Sequence, residues 1–117
     1  MLDTNAMLIL STADVTATVT GTSRNLGADL VPATWMIYVP SIAGTAPTLT
    51  VTIEESPDGS TGWVVISTRA ITAAGVFFET VVSNLRHRRA VLTVGGTTPN
   101  FGRVIVGRVP AGHYTNF

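Results

Sequence analysis

The sequence predicts an all-β protein, an antiparallel β-sandwich or jelly roll of about seven to eight strands. Thr and Val, whose β-branched side chains suit a pleated surface, dominate the chain. Short runs of alternating polar and apolar residues are separated by clusters rich in Gly, Pro, Ser and Asn, and no helical period of adequate length lies between them. At 117 residues the chain fits one domain, residues 1–117.

Seven runs have the length and pattern of strands: "VTATVT", "TWMIYV", "TLTVTI", "GWVVIST", "GVFFETVV", "RRAVLTV" and "GRVIVGRV". The two-residue period turns alternate residues of the first three runs toward the core. The residues predicted to face the core are Val15, Ala17, Val19, Trp35, Ile37, Val39, Leu49, Val51 and Ile53. The other face of the second run carries Met36 and Tyr38, so we expect both faces of that strand to be covered.

Five segments predict turns or loops: "GTSRNLG", "SIAGTAP", "SPDGSTG", "TAAG" and "GGTTPN". In the third, Pro57 presets its own φ, Asp58 can bond nearby backbone, and Gly59 tolerates positive φ. Glu54 and Glu55 stand just before this turn, and three carboxylates so close invite a calcium or acid/base interpretation. Their spacing does not match a calcium loop, and one tight turn rarely aims all three at one point, so a hairpin turn is favoured.

The two ends differ from the rest of the chain. The apolar residues Met7, Leu8, Ile9 and Leu10 precede the first clear strand, and the last eight residues read as an arm. We therefore separate an N-terminal contact segment, 1–12, and a C-terminal arm, 110–117, from the regular sandwich.

Charged residues make up only 12% of the chain, and seven Arg balance seven acidic residues to a net charge of zero. Phosphate binding usually shows as a net basic face, so we expect no nucleic-acid partner. A monomer with so little charge is prone to self-association, and much of the surface is expected to be covered in an assembly. The start lacks a basic region, no run approaches the length of a membrane span, and no Cys occurs, so we expect no signal peptide, membrane insertion or disulfide.

No group of residues predicts catalysis, a metal site or a cofactor. His87 and His113 are the only histidines, and neither has visible catalytic partners. "GSTG" is not the elbow of a serine hydrolase, and "GG" at Gly95 and Gly96 does not open a helix as a phosphate loop would. We therefore do not expect an enzyme.

Two features bear on binding. The segment "RHRRAVLTV" is predicted to place Arg86 and Arg88 on one strand face and Arg89 on the other. Both a subunit or capsid interface and a solvated face remain open for it, because Arg is enriched at interfaces. Trp63, at the start of a strand, fits a sandwich core better than an exposed stacking platform.

Several successive motifs resemble the capsid cement (decoration) proteins of tailed bacteriophages. They are "APTLTVTIEESPDGSTGWVVI", "ITAAGVFFETV", "RHRRAVLTVGGTTPNF" and "GRVIVGRV", which together span most of residues 8–109. The resemblance implies a non-enzymatic sandwich, made in the host cytoplasm, that binds the outside of a virion capsid across junctions between major capsid protein subunits. It also implies a homodimer or homotrimer.

On this hypothesis the contact residues lie in the two ends and the Arg-rich strand. They are Leu2, Met7, Leu8, Ile9, Leu10, Arg86, Arg88, Arg89, Tyr114 and Phe117. The alternative is a tail-associated carbohydrate- or receptor-binding module with Trp63, Trp35 or Tyr38 as its stacking platform.

Overall fold

The computed structural model describes residues 7–27 and 32–109. These residues form nine strands and no helix, so the predicted all-β class is confirmed. The strands are β1 (Met7–Leu10), β2 (Val19–Thr20), β3 (Arg24–Asn25), β4 (Ala33–Val39), β5 (Ala43–Ser56), β6 (Val64–Ile71), β7 (Gly75–Val81), β8 (His87–Asn100) and β9 (Ile105–Arg108).

The strands form two antiparallel sheets packed face to face. Sheet A has the order β1-β9-β4-β7, and sheet B has the order β2-β8-β5-β6, with β3 also paired to β8. Because β2 and β3 pair with successive stretches of β8, they act as one interrupted strand. Counted in this way, the first strand pairs with the eighth, the second with the seventh, the third with the sixth and the fourth with the fifth. This is the pairing of a jelly roll, as predicted.

The core lies between the two sheets and is almost entirely apolar. Alternation along β4 and β5 turns Trp35, Ile37 and Val39 of sheet A toward Leu49 and its neighbours in sheet B, as the sequence predicts. Each such side chain stabilises the fold by about 1.5–3 kcal/mol when fully buried. The remaining buried members of the core are Leu8, Ile9, Val15, Val51, Ile53, Ile71, Ala90, Leu92, Phe101, Val104 and Val106.

The segment Met7–Leu10 belongs to the sandwich, which corrects its assignment to a contact segment ahead of the first strand. It forms edge strand β1, paired with β9. An irregularity between Met7 and Ile9 places one extra residue in β1, so the adjacent Leu8 and Ile9 are both buried in the core. Strict two-residue alternation does not anticipate two adjacent inward residues. Residues 1–6 of the predicted N-terminal contact segment, Leu2 included, lie outside the described residues.

The predicted strand "VTATVT" is largely irregular. Only Val19–Thr20 has strand geometry, and of its three predicted core residues only Val15 is buried, since Ala17 and Val19 are exposed. The backbone N–H of Val15 donates to the carbonyl of Gly102, and its own carbonyl accepts from Phe101 N–H. These bonds hold Val15 at the end of the sandwich, where the chain does not run along a neighbouring strand.

Two of the predicted turns are instead parts of long strands. Most of "SIAGTAP" lies in β5 and all of "GGTTPN" lies in β8, where Ala43 pairs with Asn100 and Thr45 with Thr97. The ladder is irregular here, and Gly44 has a φ of 114°. Glycine in the left-handed region fits a bulge as well as a turn, which explains why the same composition misled the prediction.

The turn "SPDGSTG" between β5 and β6 is confirmed. The Asp58 carboxylate oxygen Oδ1 accepts hydrogen bonds from the backbone N–H of Ser60 at 2.9 Å and of Thr61 at 2.8 Å. These two bonds, the one from Thr61 first, hold the pKa of Asp58 well below its ordinary value. Gly59 has a φ of 79°, and a Cβ there would lie 2.8 Å from Nδ1 of His87. The acidic residue therefore organises the turn.

Candidate interaction surfaces

The outward face of sheet A carries a continuous set of apolar side chains. Partners directly opposite each other in a sheet lie on the same face. Leu10, Ile105, Tyr38 and Val76 are successive partners across all four strands and form one row. A second row, two residues along the strands, runs through Met7, Gly107, Met36 and Phe78. Together these rows contain seven apolar side chains, which we call the apolar face: Met7, Leu10, Met36, Tyr38, Val76, Phe78 and Ile105.

The apolar face is open to solvent over much of its area. Leu10 is 60% exposed, Phe78 is 55% exposed, and Val76 and Tyr38 are also exposed. Among the described strand residues of sheet A that face outward, none is charged. The third row consists of Thr34 and Thr80, whose hydroxyl oxygens are 3.2 Å apart and share a hydrogen bond. An exposed apolar face of this kind is more often an interaction site than a surface that stays in solvent.

The outward face of sheet B is more polar, although Val65 and Val91 also lie on it and Val65 is 49% exposed. Its rows run across β6, β5 and β8, and Thr is the commonest residue in them. One row ends in a charged pair, in which Arg89 Nε donates to Glu54 Oε1 at 2.7 Å. The Arg89 guanidinium carbon also lies 4.2 Å from the centroid of the Trp63 ring. Arg89 therefore holds a carboxylate and an indole together in one cluster.

Trp63 is not in the core, contrary to the favoured prediction. Its ring is half-buried and lies beneath the Arg89 guanidinium, so the outer-face cluster shields one side of the indole. Trp35, the second aromatic side chain considered as a sugar platform, is completely buried between the sheets and cannot stack on a ligand. Tyr38 is exposed, and it belongs to the apolar face.

A buried polar network closes one end of the sandwich. Glu55 Oε1 accepts hydrogen bonds from the hydroxyl of Ser83 at 3.1 Å, from Asn84 N–H at 2.9 Å and from Leu85 N–H at 3.1 Å. Arg88, which has no exposed surface, donates to the Ser83 hydroxyl and to the carbonyls of Leu85 and Gly27. The network fixes the β7–β8 connection against β5 and β8.

The predicted contact residues therefore lie in different parts of the fold. Met7 and Leu10 lie on the apolar face, whereas Leu8 and Ile9 are core residues and cannot contact a partner. Arg88 is likewise inside the fold, which corrects its assignment to an interface.

Two Arg residues of the predicted interface remain at the surface. Arg86 is exposed just before β8, and Arg89 faces outward from sheet B. The predicted contacts Tyr114 and Phe117 lie outside the described residues, as does His113.

Sequence reasoning missed most of the apolar face. The available signal was the second, outward set of apolar residues in "TWMIYV" and "GVFFETVV", which predicts strands covered on both sides. Which outward residues are neighbours depends on the pairing of β1 with β9 and of β4 with β7, and no single run contains that information.

The described residues hold no cluster of three or more His, Asp or Glu side chains able to bind a metal ion. Glu54 points outward and Glu55 inward, so the acidic residues near the turn diverge. Over the same part of the chain, no helix has the length and apolar character needed to cross a membrane.

No protein-family model matches the sequence, and no curated protein is detectably similar to it.

Proposed function

We propose that this protein is a structural protein of a phage virion, a decoration protein that binds the outer surface of the capsid. On this proposal it stabilises the shell by bridging major capsid protein subunits. The observation that carries the proposal is the apolar face, an uncharged sheet surface suited to burial against protein. The low charge of the whole chain supports the same role, because such a surface is covered in an assembly.

The capsid as partner comes from the sequence resemblance. Jelly rolls occur both in viral capsid proteins and in lectins, so the fold alone does not distinguish the two. The burial of Trp35 and the covering of Trp63 by Arg89 weigh against the sugar-binding alternative, since two of its three aromatic candidates are occupied within the fold.

The proposed mechanism is repeated clamping. Each copy contacts two or more capsid subunits, and the lattice raises the effective concentration of every further contact. Individually weak patches then resist the expansion of the shell together. This mechanism needs no catalytic group or cofactor, and it places the protein on the capsid exterior.

The copy number in purified virus particles tests the proposal. Quantitative peptide mass spectrometry, relative to the major capsid protein, is expected to give hundreds of copies per particle. A few copies per particle would move the protein to the tail and favour the sugar-binding alternative. Complete absence from the particles would overturn both virion roles.

A second test uses empty shells that lack this protein. Added protein is expected to co-sediment with the shells, to saturate at a fixed ratio to the major capsid protein, and to raise the temperature at which the shells disrupt. Binding without saturation, or saturation without any gain in shell stability, would contradict a bridging role.

A further inference from the structure

We propose that Asp58–Gly59 is the site of spontaneous isoaspartate formation in this chain, and that the β5–β6 turn suppresses the reaction while the chain is folded. The modification needs no enzyme, because its reactants are the backbone, one side chain and water. The proposal concerns the polypeptide alone, so it stands or falls independently of the capsid role.

The reaction joins the backbone nitrogen of Gly59 to the side-chain carbonyl carbon Cγ of Asp58. The nitrogen attacks Cγ of the protonated carboxyl group, a C–N bond forms, and the amide proton and the carboxyl hydroxyl leave as water. Water then opens the resulting succinimide ring. Cleavage of the new C–N bond restores aspartate, whereas cleavage of the original peptide bond leaves isoaspartate, in which the main chain runs through Cβ and Cγ. No oxidant, reductant or further reagent takes part.

The sequence singles out Asp58 for this reaction. Among all Asp and Asn residues of the chain, only Asp58 is followed by glycine. In every other case the next residue carries a side chain, which crowds the approach of its nitrogen to the preceding carbonyl carbon. Asp58 is also exposed, so water reaches the site and any succinimide formed there is hydrolysed.

The turn directs the attacking nitrogen away from the carboxyl group. The N–H of Gly59 donates to Oγ of Ser56 at 3.0 Å, and the N–H of Asp58 lies 3.3 Å from the same oxygen. Ser56 is the last residue of β5 and has no exposed surface, so its hydroxyl is a fixed anchor. The peptide plane between Asp58 and Gly59 must rotate before the nitrogen can face Cγ, and this rotation breaks the bond to Ser56.

The turn also holds the carboxyl group through donors that follow Gly59 in the chain. Oδ1 of Asp58 accepts from the N–H groups of Ser60 and Thr61, and Oδ2 accepts from the Thr61 hydroxyl at 2.9 Å. These donors stabilise the ionised carboxylate, whereas ring closure needs the protonated acid so that an oxygen can leave as water. Both reacting groups are therefore bonded elsewhere, and the ring closes only after the turn opens locally.

Isoaspartate does not fit the closed turn. It adds one carbon to the main chain before Gly59 and shortens the acidic side chain to a carboxylate on Cα. The bonds from Ser60 and Thr61 to the original carboxylate are then lost. The same hydrogen bonds that define the turn thus preserve the covalent structure on which the turn depends.

The first test compares isoaspartate formation in the folded and the urea-unfolded chain at one temperature and pH. Electron-transfer fragmentation of proteolytic peptides identifies the isomer and its position. We expect residue 58 to isomerise about tenfold faster or more in the unfolded chain, because several hydrogen bonds must break before the folded turn opens. A synthetic peptide of residues 54–63, with and without urea, corrects for any effect of urea on the chemistry. Equal rates would overturn the protection, and isomerisation chiefly at another residue would overturn the site.

The second test removes single hydrogen bonds of the turn while the chain stays folded. Ser56→Ala deletes the acceptor of the Gly59 N–H, and Thr61→Val deletes the hydroxyl donor to Asp58. We expect isomerisation in the folded state to rise about tenfold for Ser56→Ala and about threefold for Thr61→Val, as expected for the loss of one bond in each case. In urea, both variants are expected to isomerise at the rate of the unchanged chain.

Two control variants separate local opening of the turn from a general loss of stability. Thr68→Val makes the same chemical change as Thr61→Val at another exposed position, outside the turn. Val51→Thr weakens the core without touching the turn, and Val51 is fully buried. We expect neither to change the folded-state rate at urea concentrations where the chain remains folded. An acceleration in Val51→Thr or Thr68→Val as large as in Ser56→Ala would show that the turn itself does not protect Asp58.

Discussion

The two outer faces of the sandwich differ in polarity although both belong to antiparallel sheets: every charged strand residue that faces outward in the described sheets lies on sheet B, beside Thr rows and a few Val side chains. The outer face of sheet A exposes apolar rows such as Tyr38 with Val76. The outer face of sheet B exposes Thr rows and the cluster of Glu54, Arg89 and Trp63. In a protein with so few charges, this segregation separates two tasks. The outer face of sheet B carries polar contacts within the chain, and the outer face of sheet A carries exposed apolar side chains that make no such contacts.

The largest expected effect concerns the buried side of sheet B. Replacing Glu55 by Ala removes the acceptor of three hydrogen bonds and leaves donors of Ser83, Asn84 and Leu85 without it. We expect the free energy of unfolding to fall by about 3 kcal/mol, because the three hydrogen bonds are accepted by a charged group and only the Ser83 hydroxyl retains another acceptor, the Leu85 carbonyl. Urea unfolding measures this loss of free energy. The adjacent Glu54→Ala, on the outer face, is the matched control and is expected to lose no more than about 1 kcal/mol. Equal losses would remove the distinction between the two sides of β5.

The next effect concerns the outer cluster of sheet B. Arg89→Ala breaks the ion pair with Glu54 and uncovers the Trp63 ring. We expect a loss of about 1 kcal/mol in unfolding free energy and a red shift of tryptophan emission as the indole becomes wetter. Fluorescence-detected urea unfolding reports both, and Arg86→Ala, at an exposed position, is the control. An unshifted emission spectrum would show that Arg89 does not shield the indole.

A smaller effect is expected on the outer face of sheet A. Phe78→Thr gives this face the residue that is commonest on sheet B, and the side chain is already 55% exposed. At dilutions where the chain is monomeric, we expect the unfolding free energy to change by no more than about 0.5 kcal/mol. The core variant Val51→Thr, by contrast, places a hydroxyl between the sheets and should unfold at clearly lower urea. A large loss for Phe78→Thr in the monomer would mean that the face serves the fold of the single chain.

The smallest effect is confined to acid. Because the folded pKa of Asp58 lies below its ordinary value of 3.8, its ionised form contributes stability that is fully present above that value. This contribution declines as pH falls through and below 3.8, when the carboxylate gains a proton. We expect the stability difference between the unchanged chain and Asp58→Asn to shrink steadily over that range. A difference that is independent of pH would show that the charge of Asp58 does not hold the turn.

The sequence alone was enough to predict the fold class, the inward residues of β4 and β5 and the Asp58 turn. Each of these depends on local alternation or on the conformational preference of one residue, and such signals survive without knowledge of neighbours. The burial of Leu8 beside Ile9 depends on a bulge opposite β9. The position of Arg88 depends on Ser83, in the loop before β8, and on Gly27, which is 61 residues away in the chain. A charged residue in a strand is predicted to lie at the surface, because a guanidinium is buried only where hydrogen-bond acceptors from other parts of the fold satisfy it.

The candidate surface was predictable only in part. The apolar residues Met7 and Leu10 were selected by composition, and the structure places both on the apolar face. Their neighbours Ile105, Tyr38 and Val76 come from three other strands. Only the order of strands in sheet A makes them adjacent, and that order is a property of the whole chain.

The apolar face is assembled from the earliest and the latest strands, which has a consequence during synthesis. Leu10 in β1 becomes the neighbour of Ile105 only when β9 pairs with it, so nearly all of the described chain must be made first. Before that moment β1 has no partner in sheet A and the two rows are incomplete. A nascent chain on the ribosome consequently lacks the finished surface. The complete apolar face therefore arises together with the completed sandwich.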